Sequence, residues 1–107
     1  MRKIEREMQS AICNLSNGQS WSKSNTRVEK DDEGNISVYL HNNRITFVDK
    51  FGDLWLSSCG WLTNTTKSRL NAVLDTYLHG ASIFQKNFEW YVDDLNTPFF
   101  DGFHIAR

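Results

Sequence analysis

No stretch of this chain is apolar for long enough to cross a bilayer as a helix. Nor is there an excess of either charge: 12 Lys and Arg face 13 Asp and Glu, and the formal net charge is −1. The first absence excludes a helical membrane anchor. The second excludes the globally basic footprint of a protein that coats nucleic acid or an anionic membrane, so any anion binding must be local. Only Cys13 and Cys59 are present. They lack paired spacing, so a disulfide scaffold is not expected, and both read as free thiols in a reducing cytoplasm. The opening Met1-Arg2-Lys3-Ile4-Glu5-Arg6-Glu7 is charged and runs into no apolar core, unlike a signal peptide.

Chemical signatures are missing as well. The two-glycine spacing of a Walker-type phosphate loop does not occur. There is no nucleophile-elbow pattern, although Cys59 or Ser58 with His41 and Asp49 supplies the residue types of a nucleophile and base. His41, His79, His104, Cys13 and Cys59 stand at no ligand spacing such as Cys-x-x-Cys, so neither a metal nor a cofactor is expected. Asp93, Asp94 and the Asp31 to Glu33 run read as solvated turns. The expectation is a protein that is not an enzyme.

What the chain does have is aromatic bulk. Seven Phe, four Trp and three Tyr in 107 residues supply an aromatic-rich core for one domain over residues 1–107. Charge is uneven: ten basic residues face eight acidic ones up to Asn71, and two face five beyond it.

Ile4, Met8, Ala11, Ile12 and Leu15 line one face of a helix from about Arg2 to Leu15. Ser16 to Asn25 reads as a polar connector pinned to the core by Trp21. The period then changes to two. Arg27 to Glu29 and Ile36 to Leu40 read as strands around an Asp31 to Asn35 turn, with Ile36, Val38 and Leu40 inward. Asn42-Asn43 suits a two-residue type I′ turn before a strand over Arg44 to Val48. Gly52 to Ser57 makes a fourth strand. Leu70, Val73, Leu74, Tyr77 and Leu78 stripe a second helix closed by Gly80. A hairpin follows, Ala81 to Lys86 and Phe88 to Val92 around Asn87, then a loop from Asp94 to Pro98 and a short strand near Phe100 to Ile105. The order α-β-β-β-β-α-β-β(-β) describes an α+β fold, an antiparallel sheet (meander plus C-terminal hairpin) packed against two helices.

Three segments carry a resemblance: Tyr39-Leu40-His41-Asn42-Asn43-Arg44-Ile45; Gly60-Trp61 with Thr65-Thr66-Lys67-Ser68-Arg69-Leu70-Asn71-Ala72; and Phe84-Gln85-Lys86-Asn87-Phe88-Glu89-Trp90-Tyr91-Val92. Together they resemble a family of small tailed-bacteriophage proteins of unknown function. The resemblance implies a phage accessory protein in the cytoplasm of an infected bacterium, and it implies no catalytic residue.

The candidate binding residues are Thr63, Asn64, Thr65, Thr66, Lys67, Ser68 and Arg69, at the start of the second helix. Cations there oppose the helix dipole, whereas free N–H groups and hydroxyls suit an anion. Ordinary capping is the competing reading, with Thr63, Asn64 or Thr65 as cap and Arg69 paired to a carboxylate such as Asp53. Within the aromatic set Trp55, Trp61, Phe88, Trp90 and Tyr91, the candidate contacts are Trp61, Trp90 and Tyr91, because neighbours in a strand face opposite ways and one of Trp90 and Tyr91 must leave the core. The leading expectation is a non-catalytic protein that binds a host protein to regulate or inhibit it, in host takeover or anti-defence, with homodimerisation by the same route as a variant. The alternatives are a nucleic-acid-binding module using the Thr63 to Asn71 helix start, helped by Lys23, Arg27 and Arg44, and a small enzyme acting on a nucleotide or phosphorylated signal. No membrane partner is expected.

Overall fold

The computed structural model describes residues 1–78, 81–92 and 97–106. Helix α1 spans Lys3–Asn14 and buries Met8, Ala11 and Ile12, as its apolar spacing requires. Its first turn is closed by Glu5, whose carboxylate accepts from the Arg2 backbone N–H at 3.1 Å.

The connector after α1 contains a strand that the sequence conceals. Ser20–Lys23 forms β1, with one apolar residue too few to reveal alternation, and it pairs antiparallel with β2, Thr26–Lys30. Trp21 stands opposite Val28 and packs on the core. Strands β3 (Ile36–Leu40), β4 (Asn43–Val48) and β5 (Leu54–Leu56) continue the meander. Ile36, Val38 and Leu40 are buried as expected. The β3–β4 turn lies one residue earlier than anticipated: His41 and Asn42 hold positive φ of 51° and 65°, and Asn43 already pairs with Leu40.

A bulge interrupts β4. Pairing passes from Val38 opposite Thr46 to Tyr39 opposite Arg44, which leaves Ile45 as the extra residue. Arg44 and Phe47 consequently share a face of the sheet, with the guanidinium 5.1 Å from the ring centre. Ile45 and Thr46 are both buried.

Helix α2 spans Asn64–Tyr77 and buries Leu70, Val73 and Leu74. Gly80, expected to close it, lies outside the described residues. The C-terminal hairpin makes a second sheet of its own instead of extending the meander: β6 (Ile83–Lys86), β7 (Glu89–Val92) and β8 (Thr97–Pro98) pair in that order. Thr97 and Pro98, expected in a loop, are thus paired, while Asp93 to Asn96 lie outside the described residues. Strand β9 (Phe103–Ile105) returns to the first sheet, whose order is β1-β2-β3-β4-β5-β9.

Asn71 ties the second sheet to α2 by imitating a strand neighbour. Its side-chain amide donates to the Ile83 carbonyl at 3.0 Å and accepts from the Ile83 N–H at 2.6 Å. One apolar cluster joins α1, α2, the inner face of the large sheet and Ile83, Trp90 and Val92 of the small one. Each large apolar side chain so buried contributes about 1.5–3 kcal/mol relative to exposure. Among the described residues, no helix is long and apolar enough to cross a membrane.

Candidate functional site

The start of α2 divides the predicted residues into two groups. Thr63 is the N-cap, and its hydroxyl accepts from the Thr66 N–H at 3.2 Å. Thr66 is buried and its hydroxyl meets that of Thr63 at 3.0 Å. Arg69 lies in the interior, 3% exposed. Its guanidinium donates to Glu5 at 2.8 Å and to the Thr26 hydroxyl at 3.0 Å. Ser68 donates to the same Glu5 carboxylate at 2.5 Å. The carboxylate partner of Arg69 is therefore Glu5, not Asp53, which sits beside His104 at 3.6 Å.

Burial pushes the Glu5 carboxyl up, but hydrogen bonds from Ser68, the Arg2 backbone and Arg69, with the Arg69 charge, outweigh it and hold the group below the usual glutamate range. Arg69 is thus a structural cation that fixes α1 to α2. Lys67 is only half-buried and borders a shallow depression with Phe84, Asn87 and Phe88. Asn64 is exposed and Thr65 half-buried.

Beside this helix start lies a groove of about 510 Å³. Leu40, His41 and Asn43 of the β3–β4 turn form one wall, with Ile45, and Trp61, Thr63, Thr65 and Thr66 form the other. The approach to α2 is held in place by Asp101, which accepts from both the N–H and the hydroxyl of Ser58 at 2.8 Å. Trp61 and Leu62 follow, 62% and 63% exposed.

Of the three aromatic candidates, Trp61 alone is freely exposed. Trp90 points into the core at 7% exposure, and its ring lies 5.7 Å from that of Phe99. Tyr91 faces the other way, stacked on Phe84 at 5.6 Å and donating to Glu89 at 3.0 Å. The expectation that these neighbours diverge holds, with Trp90 the internal member. Phe88, expected as the first residue of a strand after a turn at Asn87, instead shares that turn, and β7 begins at Glu89. Phe88 is 94% exposed at the β6–β7 turn with φ of 67°, a conformation that costs a bulky side chain energy.

The paper assembly of nucleophile and base is dispersed. The Ser58 hydroxyl is engaged by Asp101, and the Cys59 thiol donates to the Arg44 carbonyl at 3.2 Å. Asp49 lies beyond the opposite end of β4 from His41, where it accepts from the N–H groups of Phe51 and Asp53. Among the described residues no three His, Cys, Asp or Glu side chains gather as a metal site.

An α+β fold with these surface features does not itself specify an activity. The chain belongs to the Kyanoviridae Gp96 protein family, a family of phage proteins, whose profile matches residues 1–106. No curated protein and no solved structure shows significant similarity to it.

Proposed function

We propose that this phage protein is a non-catalytic accessory protein that binds a host protein in the cytoplasm of the infected cell and regulates or inhibits it. The observation that carries the reading is the pair Trp61 and Leu62, each about three-fifths exposed, at the mouth of the groove beside α2. Tryptophan is a preferred anchor at protein interfaces, and adjoining apolar side chains left in water favour a partner that covers them. Phe88, which borders a depression with Lys67, and exposed Phe100, next to the Asp101 that holds Ser58, flank the same helix start. The contact surface is therefore Trp61, Leu62, Asn64, Thr65 and Lys67, without Arg69.

The test is recovery of tagged protein from infected cells, with and without nuclease, for the natural chain and for a Trp61→Ala/Leu62→Ala variant. A protein that survives nuclease and is lost with the variant supports the reading. Retention of the same protein by the variant, or its loss on nuclease treatment, overturns it.

A further inference from the structure

The large sheet has a second face, against which, among the described residues, neither helix packs. Both helices pack on the side that carries Val28, Val38, Val48 and Leu56. The opposite side presents side chains in two rows that run across the strands. Arg27, Tyr39 and Arg44 stand directly opposite one another on β2, β3 and β4. Phe47, Trp55 and His104 do the same on β4, β5 and β9. None of these six is fully buried.

The rows are chemically distinct and in contact. Arg27 lies 4.2 Å from the centre of the Tyr39 ring. Phe47 and Trp55 are 5.8 Å apart, and Trp55 and His104 are stacked at 4.5 Å with planes 6° apart. Two residues along a strand separate one row from the other, about 6.6 Å. A row holding cations beside a row of rings matches the two parts of an unpaired nucleic-acid strand, phosphates and base faces.

Charge points the same way. The nearby carboxylates are already engaged, Glu29 with Arg27 at 3.4 Å and Asp53 with His104 at 3.6 Å. Arg44 is exposed and, among the described residues, has no carboxylate within ion-pair distance. A second copy placed face to face brings no unpaired carboxylate to that cation, because Glu29 and Asp53 are already engaged, and a buried charge without a partner is costly. A phosphate would neutralise it. β9 is an edge strand, so among the described residues no further strand lies beyond the His104 face turned away from Trp55. A base placed there would extend the stack by one member.

We propose that this face binds single-stranded nucleic acid, with Arg27 and Arg44 on phosphates and the Phe47–Trp55–His104 row as the stacking platform. The site is separate from the Trp61 groove, and the two can fail independently. The probe is a fluorescein-labelled oligothymidylate of about 15 nucleotides, followed by anisotropy and by tryptophan quenching. With Arg44 unpaired and Arg27 exchanging its Glu29 partner, 3.4 Å away, for a phosphate, one to two neutralised phosphates imply that affinity falls about threefold to sevenfold between 50 and 200 mM salt. Arg44→Glu weakens binding at least tenfold, and Trp55→Ala weakens it and removes most of the quenching. A labelled duplex of equal length binds more weakly. Absence of binding at 50 mM salt, or equal affinity in Arg44→Glu, overturns the proposal. Arg44 is exposed, so this variant keeps the test decisive even if Trp55→Ala fails to fold.

Discussion

Glu5 and Arg69 stand 64 positions apart in the chain and meet at 2.8 Å, both almost wholly withdrawn from water. A buried pair of this kind adds little compared with a well-packed apolar pair, but breaking it leaves one charge stranded. Arg69→Met should cost about 3–5 kcal/mol, and Glu5→Leu combined with Arg69→Met should recover most of the loss. Urea denaturation of both variants measures this. Equal destabilisation by the single and double variants would show that the pair is not the cause.

The same carboxylate sets an acid limit. Its folded pKa is held below the unfolded value of about 4.3, by hydrogen bonds and the Arg69 charge acting against burial. The stabilisation is therefore fully present above that unfolded value and lost as pH falls through the lower, folded one. Denaturation between pH 7 and 3 should show stability declining below about 4.3, with a shallower decline in Glu5→Gln, which has no proton to take up at that site.

Asn71 supplies both hydrogen bonds at Ile83, and each group is left unsatisfied when the amide is removed. Asn71→Ala should cost about 1–3 kcal/mol. Amide exchange at Ile83 should accelerate in this variant while the strands of the large sheet keep their protection. Uniform acceleration everywhere would mean that Asn71 supports the whole fold instead of the attachment of the small sheet.

Phe88 offers the reverse case. It is almost entirely exposed and holds a φ of 67°, so it brings the fold strain and little burial. Phe88→Gly should raise stability by about 0.5–1 kcal/mol, the relief of left-handed strain less the extra backbone entropy of glycine. Thermal melting reads the change. A destabilised variant would show that the ring has an internal packing role.

Much of the fold was legible because period and turn chemistry are local properties. The i, i+4, i+7, i+8 spacing from Ile4 placed α1 to within a residue, and alternation placed Ile36, Val38 and Leu40 inward. What escaped depends on partners distant in sequence. Ser20–Lys23 is a strand because β2 offers it a ladder, not because of its own pattern. Arg69 read either as an anion-binding cation or as one paired to a carboxylate such as Asp53, and its actual partner is a glutamate on another helix that no local signal connects to it. The exposure of Trp61 and the place of Lys67 in the first turns of α2 were legible. The two-row face was not, because its members come from five separate segments and align only once the registers are known.

The extra residue in β4 has a lasting effect on how this molecule can change. Ile45 forms part of the wall of the groove and its carbonyl accepts from the Ser57 N–H at 2.8 Å, while Arg44 and Phe47 keep the alternation that a β4 without it would have. Deleting that isoleucine would remove one of the four residues of that wall and leave the arginine and the phenylalanine side by side as before. Selection can therefore reshape the groove while the side chains displayed on the opposite face of the sheet stay in step.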